Sequence, residues 1–125
     1  MVVKTFSLKE ISAYKKSSDL SNKIYSVVSA WQWFDKQTLG SQIVRSVDSI
    51  SANIAEGFGR YHKKDKIKFF YNARGSAFES IHWLEKATER KLIPTKEIAS
   101  LTIIFQELPK EINSLILLTN KNLKY

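Results

Sequence analysis

The chain has 125 residues, 43% of them hydrophobic and 26% charged, which suits one globular domain over residues 1–125 and excludes a disordered chain. It holds no cysteine, so disulfides and thiolate metal sites are excluded. The net charge of +8 and pI of about 9.7 favour polyanionic partners, nucleic acid before anionic membrane surfaces.

No apolar run approaches the ~20 residues that cross a bilayer. Met1–Lys9 lacks the apolar core of a secretory signal. The expectation is a cytoplasmic protein with no membrane partner. Four Gly and two Pro are few for an all-β chain with many tight turns.

Four segments carry helical periodicity, and none carries sustained strand alternation. The first predicted helix runs from Lys9 to Asp35. Ile11, Tyr14, Leu20, Ile24, Val27, Val28, Trp31 and Phe34 form its apolar face. Ser17-Ser18-Asp19 is its weak point, because Ser and Asp favour N-cap positions. Trp31, Trp33 and Phe34 cannot all point inward on one helix, so at least one is expected to stay exposed or to meet a partner.

A short connection at Asp35–Leu39 leads to a second predicted helix, Thr38–Glu56. Its narrow stripe is Ile43, Val47, Ile50 and Ile54. Beside the stripe lie Ser46, Ser49, Ala52 and Asn53, whose small side chains let another helix approach. Asn53-Ile54-Ala55-Glu56-Gly57-Phe58-Gly59-Arg60 then reads as a helix end and a turn. Gly57 is expected just past that end, where φ is positive and glycine is cheapest. Gly59 loosens the turn.

The basic run follows at once: Arg60, Lys63, Lys64, Lys66 and Lys68, against a single Asp65. Lysines in a first helical turn face the positive end of the helix dipole. Placing them there against local preference points to another purpose, phosphate contact. Five such contacts give a salt slope of about −3.5 on single strands or about −4.5 on duplex. Arg45 is a weaker addition to this set. No groove-reading motif accompanies it, which argues against sequence-specific duplex recognition.

The third predicted helix, Lys63–Lys91, has Ile67, Phe70, Tyr71, Phe78, Ile81, Leu84 and Ala87 or Thr88 as its stripe. Gly75 in mid-helix costs about 1 kcal/mol relative to Ala, and a close helix contact is the expected reason. Arg74 is expected to be half buried and paired with a carboxylate, Glu56 or Glu79, of this or a neighbouring subunit, since a buried Arg needs its charge matched.

Pro94 ends that helix, and Thr95 is expected to cap a fourth whose stripe is Ile98, Leu101, Phe105, Leu108, Ile112, Leu115 and Leu118. Pro109 should kink this helix or split it near Glu107-Leu108. The polar tail Thr119–Tyr125 is expected to fray. The fold class is therefore all-α, an antiparallel up-and-down four-helix bundle.

Chemistry-bearing constellations are sparse. His62 and His82 do not form a helical metal pair. Glu79-Ser80-Ile81-His82 matches a di-iron spacing once, with no second copy. Gly57-Phe58-Gly59 follows no strand and is not a dinucleotide fingerprint. No serine sits in a nucleophile elbow. The expectation is a non-enzyme with no metal and no cofactor.

Gln42-Ile43-Val44-Arg45, Ser49-Ile50, Asn53 to Arg60, Lys63-Lys64, and Phe69-Phe70-Tyr71-Asn72-Ala73-Arg74-Gly75-Ser76 with Glu79 together resemble the four-helix-bundle family encoded in intervening sequences of bacterial 23S rRNA genes. The resemblance covers essentially the whole chain and is sharpest over 42–86. It implies a homopentameric bundle with a basic surface. The chain is also similar to the accessory variability protein of diversity-generating retroelements, a pentameric bundle that works with a reverse transcriptase and nucleic acid. His62 stands where such proteins often have a capping Ser, which predicts a remodelled turn. Ser51, beside Ala52, stands where they often have proline, which predicts a more continuous second helix.

Two functions follow as expectations. One is nucleic-acid binding, RNA before DNA, by a homo-oligomeric ring in which Arg60, Lys63, Lys64, Lys66, Lys68 and Arg45 contact phosphates. A ring multiplies contacts that are weak in one chain. The other is a scaffold that recruits a partner enzyme such as a reverse transcriptase. Ser46, Ser49, Asn53, Glu56, Gly57, Arg74, Gly75 and Glu79 are the candidates for close packing and oligomer contact.

Overall fold

The computed structural model describes residues 7–125, so the first six residues of Met1–Lys9 lie outside the described part. A single 3-10 turn, Leu8–Glu10, precedes four long helices: α1 (Ser12–Ser29), α2 (Ser41–Gly59), α3 (Lys63–Glu89) and α4 (Thr95–Asn122). Each packs on its neighbour in sequence, and α4 closes the ring against α1. This is the antiparallel bundle that short connections enforce.

The core forms where the helical stripes meet. Ile43, Val47, Ile50 and Ile54 of α2 are all fully buried. Ile24, Phe70, Leu101, Phe105, Leu108 and Ile112 surround them. Each large apolar side chain moved out of water contributes roughly 1.5–3 kcal/mol. That burial holds α2 in its helix despite its many Ser and β-branched residues. Along the outside, α1 and α4 are laced by Lys16 with Glu111 (2.7 Å) and Lys23 with Glu97 (2.6 Å).

The first helix ends earlier than its periodicity suggests. Ser17-Ser18-Asp19 does not interrupt it, because the buried Ser17 hydroxyl donates to Ala13 O at 2.7 Å within the helix. The break lies at Ala30–Gln32, where Gln32 is extended. Asp35–Leu39 is no loop either: Trp33–Asp35 is helical, and a π-helical stretch, Lys36–Gly40, runs straight into α2. The reversal turns Trp31 into the bundle end, where its indole Nε1 donates to Leu92 O at 2.9 Å. Gly40 lies under it, with space for no Cβ beside Val28. Trp33 and Phe34 point out, 72% and 68% exposed.

Gly57 is not past the helix end. It is a buried residue of α2, and no described glycine has positive φ. The helix stops at Gly59 because Arg60 is extended. The left-handed cap occurs after α3, on Lys91 at φ 60°. There Leu92 N–H reaches Ala87 O and Lys91 N–H reaches Thr88 O, the paired bonds of a Schellman motif.

The fourth helix also corrects three expectations. Pro94, not Thr95, occupies the N-cap position, its fixed φ being compatible with the extended approach. Helix α4 does not split near Glu107-Leu108 but runs through Pro109, which is buried in the bundle. It stays helical to Asn122, so Thr119–Asn122 does not fray.

Candidate nucleic-acid interface

An even number of antiparallel helices brings the α2–α3 connection, the start of α1 and the end of α4 to one end of the bundle. There the Lys63 backbone N–H donates to the Tyr125 carbonyl at 2.7 Å. This supplies the cap that His62 does not, since the His62 side chain makes no cap bond. Helix α2 runs unbroken through Ser51 and Ala52.

The basic run divides into used and free charges. Lys66 turns back over the end of α2. Its Nζ donates to Phe58 O at 2.7 Å and to Gly57 O at 3.5 Å. It thereby satisfies carbonyls left open by the helix end. Burial lowers the Lys66 pKa from its ordinary value. Arg60 bonds Glu56 at 2.5 Å and lies 4.7 Å over the Phe69 ring. Lys63, Lys64 and Lys68 make no ion pair among the described residues. Arg45 is exposed but stands fifteen residues before Arg60 on α2, about 22 Å along the helix. The structure does not bring it to this cluster.

Sequence reasoning missed three contributors to the same end. Lys9, Lys121 and Lys124 are exposed there. The signal was available in topology: the last helix of a four-helix up-and-down bundle must finish beside the α2–α3 connection.

The packing candidates divide in a similar way. The Ser46 and Ser80 hydroxyls lie 3.1 Å apart where α2 crosses α3, both buried. Ser49 and Asn53 bond within α2, Ser49 Oγ to Arg45 O and Asn53 Nδ2 to Ser49 O, both at 2.8 Å. Gly57 admits Phe70. Among the described residues Arg74 pairs with neither Glu56 nor Glu79 of its own chain: its Nη1 donates to Asn113 Oδ1 at 2.7 Å and its guanidinium lies 4.7 Å over Tyr71. Partial exposure makes a neutral partner sufficient. Glu79 accepts instead from Trp83 Nε1 at 2.9 Å, one turn along the same helix. Around Gly75, the expected close helix contact is missing among the described residues of the chain, since a Cβ there would meet none of them. His82 sits edge-on to Trp83, and no group of three potential metal ligands occurs among the described residues. Nor does any described helix have the length and apolarity to cross a membrane.

Residues 9–114 match the family model described as "23S rRNA-intervening sequence protein". The chain belongs to this family. A solved structure is similar to it: a protein of unknown function from the S23 ribosomal protein family of Bacteroides thetaiotaomicron VPI-5482. It is 26% identical, with a TM-score of 0.73, over 83% of this chain and 97% of that one. No curated protein matches. Neither family nor neighbour points to catalysis. The matched span runs from the Leu8–Glu10 turn into the second half of α4, so this intervening-sequence protein carries its family's signature on all four helices of the bundle.

Proposed function

We propose that this intervening-sequence protein is a non-catalytic nucleic-acid-binding protein, RNA before DNA, that acts as a homo-oligomeric ring. The observation that carries the reading is the cluster of Lys63, Lys64 and Lys68 at the start of α3, free of carboxylate partners among the described residues and joined by Lys9, Lys121 and Lys124 at the same end. A small fold that leaves that many ammonium groups together favours a polyanion. Exposed Tyr71 and Phe78 flank the open Gly75 on α3 and supply an apolar strip for self-association.

Light scattering of the purified protein, alone and with labelled RNA at low and physiological salt, tests both parts. A mass of about five chains with salt-sensitive RNA association is expected. A monomer defeats the ring, and indifference to RNA at both salts defeats the binding.

A second reading rests on Trp33 and Phe34, which stand exposed together at the opposite end. Paired aromatics on one turn suit a protein partner such as a recruited enzyme. Loss of partner capture in W33A/F34A, with RNA binding intact, would favour this scaffold role.

A further inference from the structure

Among the large apolar and aromatic side chains of the described residues, Tyr61 is the most exposed, at 89%. A ring so open contributes little to the fold, and in sequence it stands just before Lys63 and Lys64. Its backbone is held on both sides: Arg60 N–H donates to Gly57 O, and Lys66 N–H donates to His62 O. The adjacent Lys63 N–H is fixed by Tyr125 O. The Tyr61 ring meets the His62 ring edge to face at 5.1 Å. A three-residue connection hydrogen-bonded at both flanks thus presents one exposed tyrosine ring, Arg60 before it and Lys63 and Lys64 after it. Lys124 is brought alongside by the end of α4, itself 5.6 Å over the Tyr125 ring.

We infer that this end of the bundle takes single-stranded nucleic acid, with Tyr61 as a stacking platform for an unpaired base and Lys63, Lys64 and Lys124 around the neighbouring phosphates. The inference rests on the nucleic-acid reading above and narrows its substrate class. In a duplex the base faces are already stacked and cannot meet Tyr61. In a single strand every base offers a face, so stacking there is tolerant of sequence, in keeping with the absence of any groove-reading helix. Lys66 takes no part, being committed to the end of α2.

The test is fluorescence anisotropy with labelled oligouridylate, oligothymidylate and a hairpin RNA duplex, across a salt series. The proteins are the wild type, Y61A, Y61W and the charge-reversed K63E/K64E/K68E, each confirmed as helical by circular dichroism. Tyr61→Ala is expected to weaken both single strands about 5- to 150-fold, leaving the salt slope and the weaker duplex binding unchanged. Tyr61→Trp should restore single-strand affinity. Unchanged single-strand binding by Y61A, or a wild-type preference for the duplex, overturns the inference; if charge reversal still abolishes binding, the broader reading survives. Binding that charge reversal leaves intact, or none by the wild type at low salt, overturns both.

Discussion

The ring of Phe70 occupies the space where a side chain on Gly57 would begin. A Cβ there would stand 2.7 Å from Phe70 Cε1 and 3.0 Å from the Lys66 carbonyl oxygen. Phe70 is itself 2% exposed and cannot swing into solvent without emptying the core. The glycine of the Asn-Ile-Ala-Glu-Gly element is therefore required by helix–helix packing and not by backbone sign. Gly57→Ala should destabilise the protein by about 1–3 kcal/mol through overpacking. Urea unfolding checks this, and the double variant with Phe70→Leu should cost less than the two single changes together because the residues share one space.

Lys91 holds the left-handed position that was expected of Gly57. A lysine in that conformation crowds its own Cβ against the following carbonyl. Lys91→Gly keeps the Schellman bonds and removes the crowding, so it should stabilise the fold by about 1 kcal/mol, the difference being reduced by the greater freedom of glycine in the unfolded chain. Thermal unfolding would show a raised midpoint; a lowered one would mean that the Lys91 side chain contributes more than its backbone costs.

Acid should loosen the contact between α1 and α4. The hydrogen bond from Lys16 holds the Glu111 carboxyl below its ordinary pKa, with Ser12 and the Lys16 charge adding to the effect and partial burial opposing it. A carboxyl whose folded pKa is depressed stabilises the fold above its unfolded value, and that stability is lost as pH falls through the folded value. The window lies below about pH 4.3, the ordinary glutamate value. Glu111→Gln should thus be less stable than the wild type at neutral pH and converge with it in acid. Unfolding curves at several pH values would reveal the convergence, and a gap that persists into acid would exclude the ion pair as its cause.

The fold was legible because its signals are local and repeated. Ile43, Val47, Ile50 and Ile54 announce a buried helical face wherever the helix goes. The boundaries were less legible because they depend on distant partners. Trp31 reverses the chain where it does because Leu92, sixty-one residues on, offers a carbonyl to its indole. Pro109 is tolerated because the bundle encloses it. At the candidate interface the sequence revealed the density of charge but not its allocation. Lys66 and Lys68 look equivalent in the run, yet one caps α2 and the other faces solvent, a distinction set by the angle at which α3 leaves the turn. Arg74 found Asn113 on α4, a partner that no local pattern names.

Gly75 separates the single chain from its assembly. None of the described residues approaches it, so Gly75→Ala should raise the stability of an isolated protomer by about 1 kcal/mol through helix propensity alone. If another copy packs its backbone against that spot, the added methyl should weaken association in the same variant. Opposite signs are expected: a higher melting point in dilute solution, and a lower apparent mass by light scattering. A variant that melts higher and assembles normally would free Gly75 from the interface.

Charge reversal of the free lysines should act on salt dependence as well as on affinity. Four phosphate contacts, from Lys63, Lys64, Lys68 and Lys124, give a slope of about −2.8 in log K against log salt on single strands. This is shallower than the −3.5 expected when all five basic residues of the run contact phosphates, because Lys66 is committed to carbonyls and Arg60 shares Glu56. K63E/K64E/K68E should lose the affinity and most of the slope while remaining fully helical, since none of the three side chains is buried. Lys66→Met should behave differently. It uncaps α2 and lowers the unfolding midpoint, while the salt slope stays near that of the wild type. A slope that falls by the same amount in Lys66→Met as in a single change at Lys64 would show that Lys66 leaves the carbonyls when nucleic acid binds.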